Sequence, residues 1–396
     1  MQVAHQGGHA RDQKVQGAVV QRNLIIRWST LEGNTFIVFH YGDTKKVALT
    51  RRKEFFRSIG FTADVFGKWI QSTLLSPWKT LPLLLLAQCT AKGHRLALEH
   101  SRFFQVLQVL AFLAVLRRVN AWLNIRTLNN GVSDRFDWNR EVVVLTGGSN
   151  GIGRRIAQLL GDHGTKVAIL DIHPPQEDQG RLPPTVRFHK CDITSPSAIA
   201  AVAADIRATL GEPTVLINNA GVCNHKTILG GTEADTRIQF EVNTLAHYWL
   251  AREFLPHMVK RDHGMVATVA SLAGYTTTPN MVDYSATKAA AISFHEGLAA
   301  ELVTRYHAPR VRTVMLAPGF TQTALIGRLT PEDTWFNPLL QPETVAEQLV
   351  RQILTGNSGH VVVPGSSGWL ARNLRSFPPW FQHSMRSWLE RLMRAD

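Results

Sequence analysis

Val142-Val-Val-Leu-Thr-Gly-Gly-Ser-Asn-Gly-Ile-Gly153, followed after one helix length by Val167-Ala-Ile-Leu-Asp171, decides how this chain folds. Val142 to Leu145 is a continuous aliphatic run of strand length, the pattern of a strand buried on both faces. Thr146 and Gly147 end it, and Gly148 to Gly153 are too glycine-rich to continue a strand. From Gly151 the apolar positions Ile152, Ile156, Leu159 and Leu160 fall on one helical stripe, closed by Gly161 and Gly164. Val167 to Leu170 reads as a second buried strand ending in the acid Asp171.

Strand, glycine turn, helix, strand and acid together suit a dinucleotide. A phosphate needs backbone N–H groups aimed at it with a helix N-terminus behind, and glycines let the main chain approach that closely. An acid about 20 residues past the turn accepts the hydroxyls of the adenosine ribose. Gly147, Ser149, Asn150, Gly151, Ile152 and Gly153 are the candidate phosphate turn, and Asp171 is the candidate ribose acid.

Outward from this unit the alternation is regular. Strands are expected at 186–189, 215–217, 265–269, 311–316 and 360–363, separated by helices at 195–210, 235–261, 284–306 and 343–354. Strands spaced by helices predict an α/β fold: a doubly wound parallel sheet, the Rossmann arrangement, of about seven strands with right-handed crossovers. Its span is 138–365, entered through the polar linker Ser133 to Arg140.

Strand ends in such a sheet are where ligands bind. Asp192 and Ile193 follow the third strand, and Asn218-Asn219-Ala220-Gly221 the fourth, where asparagines can tie strand ends together and the small pair leaves room for a cofactor. Ser271 follows the fifth strand, and Pro318, Gly319 and Thr321 the sixth. Tyr284 and Lys288 stand four apart on one helix, so both project from one face. A lysine cation beside a phenol favours the phenolate and brings a tyrosine toward acid–base work. Asn243 interrupts a long helix where asparagine costs propensity.

Thr146-Gly147-x-x-x-Gly151-x-Gly153, Asp192, Asn218-Asn219-Ala220-Gly221, Asn243, Ser271, Tyr284-x-x-x-Lys288 and Pro318-Gly319, taken in order, resemble the motif set of the short-chain dehydrogenase/reductase family over about residues 141–365. The resemblance implies hydride transfer between a nicotinamide and a carbinol or carbonyl carbon. It makes Tyr284 the general acid/base, Lys288 the residue that lowers its pKa and holds the nicotinamide ribose, Ser271 the substrate-positioning hydroxyl and Asn243 the support of a water-linked proton relay. Asp171 is similar to the acid of NAD-preferring members, because it repels a 2′-phosphate; NADP stays the alternative. Members often pair through their long helices, which implies a homodimer.

The flanks narrow the expectation. Among 396 residues the net charge is +13, which points to an anionic surface or to cofactor phosphates. No zinc-finger spacing, RNA-binding aromatic signature or basic leucine zipper is present, so nucleic acid is not an expected partner. Cys89, Cys191 and Cys223 are far apart and odd in number, against a disulfide framework or metal site and for a reducing compartment.

Residues 1–65 read as a weakly packed extension, with short strands at 23–28 and 35–41. Residues 66–130 form an apolar region whose runs at 81–87 and 103–116 are each shorter than a spanning helix and carry Trp69, Trp78, Trp122 and basic residues at their ends. The tail 366–396 holds a stripe of Phe381, Met385, Trp388, Leu389 and Leu392 opposite Arg386, Arg391 and Arg394, suited to an anionic membrane surface or to covering the substrate cleft. Membrane attachment through 69–125 and 366–396, at the endoplasmic reticulum or a lipid droplet, resembles the family's branch acting on retinol, hydroxysteroids and other lipid alcohols. An apolar substrate covered by 321–342 is expected, against a cytosolic reductase of small polar ketones or a non-catalytic nucleotide-binding scaffold.

Overall fold

The computed structural model describes residues 20–21, 24–31, 34–40, 62–176, 180–326 and 335–391. The chain divides into two compact units, Met1–Arg51 and Arg52–Asp396. In the first, β1 (Val20–Gln21), β2 (Leu24–Leu31) and β3 (Asn34–His40) form an antiparallel sheet in which Ile25 faces His40 and Leu31 faces Asn34. The two strands expected here are therefore present and paired. The remainder of the expected weakly packed extension up to residue 61 lies outside the described residues.

The second unit begins with four helices: α1 (Ala63–Ser72), α2 (Pro77–Cys89), α3 (Ala91–Glu99) and α4 (Ser101–Leu128). Pro77 opens α2 where a missing N–H costs nothing, and the Thr90 hydroxyl caps α3 by accepting from Gly93 N at 3.0 Å. The apolar run at 103–116 extends into a longer helix than expected, because Arg117 and Arg118 are good helix formers and do not stop it. Arg117 donates back to Gln71 at 2.8 Å. Among the described residues α4 is the one helix long and apolar enough to cross a membrane. Leu83, Leu85, Leu86, Phe103, Phe112 and Trp122 are all exposed.

The exit of α4 is fastened to the body. Arg312, fully buried, donates to Asn129 O at 3.1 Å and Val132 O at 2.9 Å, and Asn129 Oδ1 accepts from Ser358 N at 2.9 Å. Burying a guanidinium is tolerated where carbonyls meet its donors.

Beyond the linker run β4 (Val142–Thr146), α5 (Gly151–Asp162), β5 (Lys166–Asp171), β6 (Val186–Lys190), α6 (Pro196–Thr209), β7 (Val215–Asn218), α7 (Glu233–Phe240), α8 (Ala246–Arg261), β8 (Met265–Val269), α9 (Val282–Thr304), β9 (Arg312–Pro318), α10 (Pro342–Leu354), β10 (Gly359–Val363), α11 (Gly365–Asn373) and α12 (Pro379–Arg391). All seven strands pair in parallel in the order β10-β9-β8-β7-β4-β5-β6, the doubly wound sheet the sequence predicts. Alternate residues of one strand feed opposite cores. Val144 of β4 packs with Ile206, Leu250 and Phe254, whereas Val143 and Leu145 pack with Ile156, Leu160 and Leu349. Fully burying such a side chain stabilises by ~1.5–3 kcal/mol.

The strand order reverses between β5 and β7 on either side of β4, opening the crevice where ligands bind. One expectation is corrected: the helix expected across 235–261 is broken at Glu241–Leu245 by a π-helical turn. Asn243 sits in this turn, and its side chain has a partner off the helix.

Candidate active site

The phosphate turn is built by contacts that leave no room for side chains. Gly147 has φ +65°, and a Cβ there would lie 2.8 Å from the Ala220 Cα. A Cβ on Gly153 would stand 2.1 Å from the Gly147 carbonyl oxygen. Asn219 ties β7 to the turn, its Nδ2 donating to Thr146 O at 2.9 Å and Gly147 O at 3.1 Å. The Thr146 hydroxyl accepts from the Asn219 and Ala220 N–H groups, both at 3.0 Å. The strand-tying role expected of the Asn pair belongs to Asn219; the buried Asn218 amide makes no hydrogen bond among the described residues.

Asp171 closes the far side of the turn. Its carboxylate accepts from Ser149 N at 3.1 Å and His173 N at 3.3 Å, while the Ser149 hydroxyl donates to His173 O at 2.6 Å. Asn150 caps α5, accepting from Gly151 N at 2.7 Å. Asp192 Oδ1 accepts from the Thr194 N–H at 2.9 Å and hydroxyl at 2.7 Å, which fixes its orientation beside Ile193.

A cavity of about 770 Å³ opens from this turn and continues without a break to the chemistry-bearing side chains. Gly147, Asn150, Gly151, Ile152, Gly153, Asp171, Asp192, Ile193, Asn219, Ala220 and Gly221 line one end. Ser271, Tyr284, Lys288, Pro318, Gly319 and Thr321 line the middle. Ser149 and Asn243, both candidates from the sequence, stand behind its wall instead.

Tyr284 is 6% exposed, and Ser271 shares the same stretch of cavity wall, its Oγ donating to Pro318 O at 3.4 Å. Burial pushes the phenol above its ordinary range, and the Ser271 contact opposes this. Ser271 Oγ also accepts from Ala273 N at 3.2 Å. Lys288 Nζ donates to Val269 O at 3.0 Å and stands 5.6 Å from the centroid of the Tyr284 ring. Burial lowers Lys288 from the ordinary 10.5 to about 8, so it is mostly charged at neutral pH. The lowering of the phenol by Lys288 expected from the sequence is not found: burial and Cys223 raise it, and Ser271 is the group that opposes them.

Asn243 is fully buried, with Oδ1 accepting from Val222 N and Nδ2 donating to Val222 O and to Thr287 Oγ1. A Cβ on Gly221 would come within 3.4 Å of both Asn243 Oδ1 and Lys288 Nζ, so glycine keeps the passage beside them open.

The far end of the cavity is apolar: Leu325, Phe336, Leu370, Leu374, Met385, Trp388 and Leu389. Of the residues 321–342 expected to cover the substrate, Leu325, Ile326 and Phe336 line the cavity; Leu329 lies outside the described residues, Trp335 is exposed and Leu339 is not on the cavity. Three residues of the tail helix α12 line this end, so the tail covers the cleft. Trp380, on the same helix, is 70% exposed.

Sequence reasoning missed Cys223 and Met281, which pack against Tyr284, because neither belongs to a recognisable pattern. Burial raises the Cys223 thiol to about 11. Sequence reasoning also missed α11, whose apolar positions are too few to show a stripe.

The family model described as short chain dehydrogenase matches residues 141–334. Over 202 residues the chain is 43% identical to "Dehydrogenase RED2" of Cochliobolus heterostrophus, covering 51% of this chain and 76% of that protein. It is 35% identical over 246 residues to "Estradiol 17-beta-dehydrogenase 11" of Rattus norvegicus, covering 61% of this chain and 81% of the relative. A crystal structure of a short-chain dehydrogenase from Streptomyces avermitilis superposes with a TM-score of 0.52 at 25% identity, covering 64% of this chain and 96% of the other.

Proposed function

This chain belongs to the short-chain dehydrogenases, an oxidoreductase family, and from that premise we propose that it oxidises or reduces a lipid-like alcohol or its carbonyl with NAD, or alternatively NADP. The observation that carries this reading is the position of Tyr284: its buried phenol lies where one continuous cavity passes from the glycine turn to the apolar wall.

The residues fit a dinucleotide. Gly147, Gly151 and Gly153 leave the main chain bare where a pyrophosphate would sit, Asp171 would accept from the ribose hydroxyls, and Asp192 with Ile193 would hold the adenine. When bound, the nicotinamide supplies or takes the hydride. Tyr284 gives or takes the proton at the substrate oxygen, Ser271 holds that oxygen against the phenol, and the Lys288 cation stabilises negative charge there. Burial of the phenol excludes competing water. Asn243 positions the Val222 and Thr287 backbone and hydroxyl on which the relay side of the site rests.

The apolar wall supports a substrate of retinoid, steroid or long-chain class, and the exposed apolar faces of α2 and α4 support attachment to the endoplasmic reticulum membrane or a lipid droplet. Exposed Leu245 and Tyr248 on and before α8 support a homodimer through the long helices. Purified full-length protein is to be assayed with NAD and NADP against retinol, hydroxysteroids, long-chain alcohols and small polar ketones. Turnover of the apolar set alone is expected; turnover confined to small ketones, or cofactor binding without any turnover, overturns the reading.

A further inference from the structure

Helix α11 has a cap that comes from 301 residues away in the chain. Its own N-cap position is Pro364, which offers no side-chain acceptor. In its place the Asp64 carboxylate of α1 accepts from Gly365 N at 2.7 Å and from Ser366 N at 2.8 Å. An acid at that point satisfies two orphan donors and lies at the favourable end of the helix dipole.

The same turn of α1 makes a second attachment. Ala63 N donates to Trp335 O at 3.0 Å, and Ser366 Oγ donates to Phe336 O at 3.4 Å. Phe336, together with Ser367, Leu370 and Ala371 of α11, forms cavity wall. One helix therefore grips two segments that shape the apolar end. The other face of α1 is exposed, with Phe66 and Trp69 stacked at 6.0 Å between ring centroids. Trp335 and Trp369, on the two gripped segments, are exposed as well. Exposed tryptophans on α1 and on the two segments it holds match the composition of a surface that rests at the headgroup level of a lipid layer.

We propose that Asp64 is a positioning residue for substrate recognition, which fixes the α11 wall of the cavity to the lipid-facing helix α1. The wall that meets the apolar substrate is then set by the same helix that meets lipid. The inference rests on the proposed apolar-alcohol reading for its substrate, and on the two carboxylate contacts for its geometry.

The test uses full-length protein in phosphatidylcholine liposomes, as wild type, Asp64→Asn and Asp64→Ala. Steady-state kinetics with a long-chain alcohol are joined to NADH titration, hydrogen exchange and binding of a fluorescent long-chain alcohol. Losing a cap of this kind is expected to raise KM about fivefold, with kcat and NADH affinity unchanged. Protection of the Gly365 and Ser366 amides is lost in Asp64→Ala and partly kept in Asp64→Asn. Unchanged KM despite lost protection makes the contact merely structural and overturns the proposal, as does a fall in kcat at constant KM. If Asp64→Ala does not fold, Asp64→Asn decides by the same measures. Should wild type oxidise no apolar alcohol while fluorescent-alcohol binding still weakens on substitution, the functional reading fails and the role of Asp64 stands.

Discussion

Asn243 and Val222 are locked together through both backbone groups of the valine: Asn243 Oδ1 accepts from Val222 N at 2.8 Å, and its Nδ2 donates to Val222 O at 2.9 Å. The second Nδ2 proton goes to Thr287 Oγ1 at 3.0 Å, so the amide donors are saturated. The π-helical turn Glu241–Leu245 is the backbone form that aims the side chain this way. Asn243→Ala leaves the partners of three buried hydrogen bonds unpaired and is expected to destabilise by ~2–3 kcal/mol. Thermal unfolding checks this. A variant with unchanged Tm and lost turnover would restrict Asn243 to proton relay.

Tyr284→Phe removes one hydroxyl from a site in which the ring is already packed by Met281 and Cys223. NADH affinity is expected to hold, because the glycine turn and Asp171 are untouched. Turnover falls by ~10²–10⁴-fold, the usual contribution of a positioned acid–base group. Stopped-flow hydride transfer and cofactor fluorescence separate the two. Retained turnover removes the tyrosine from the reaction.

The pH dependence follows from Lys288. Burial lowers it from 10.5 to about 8, and the buried Tyr284 is shifted the other way, upward. The free enzyme therefore loses the lysine cation first as pH rises. The kcat/KM of carbonyl reduction is expected to fall with an apparent pKa near 8, since that ratio reports groups of the free enzyme. Stability moves the opposite way between about 8 and 10.5, because there the unfolded chain binds the proton that the folded lysine has given up. A limb near 10 assigns the profile to another group.

Much of this site is legible along the chain because its parts are local. The turn from Gly147 to Gly153 and the pair Tyr284 and Lys288 are each defined within a few residues, and strand periodicity places the turn at the carboxyl end of β4. The π-turn at Asn243 is not legible, since helical periodicity in 235–261 is the same with or without it. Nor is the Asp64 cap, which joins α1 to α11 and leaves no pattern at either end. The tail stripe was readable as amphipathic, whereas its partner surface, the cavity containing Leu370 and Leu374, exists only after folding.

Asp171 has two partners of its own, Ser149 N and His173 N, besides any ribose. Asp171→Ala removes the charge that repels a 2′-phosphate and also frees one N–H of the glycine turn. The ratio of NADP affinity to NAD affinity is expected to rise about tenfold, as ~1–2 kcal/mol of repulsion disappears. Both cofactors should bind less tightly in absolute terms because the turn loosens. Isothermal titration with each cofactor reads the ratio directly. An unchanged ratio makes the acid a support of the turn alone.

Trp388 lies on a helix that serves two surfaces. It lines the cavity with Met385 and Leu389, while Trp380 one end away is exposed. Trp388→Ala therefore acts on the substrate side and leaves the outward face intact. Losing an indole from an apolar wall forfeits ~1–2 kcal/mol of contact with a long substrate, about a tenfold rise in KM. A small ketone that reaches only Ser271 and Tyr284 should show no such rise. Trp380→Ala should do the reverse, lowering retention on liposomes with KM unchanged. Flotation and paired substrate kinetics on both variants test the division. If either substitution moves both readouts together, α12 folds against the cavity and the membrane as one inseparable surface.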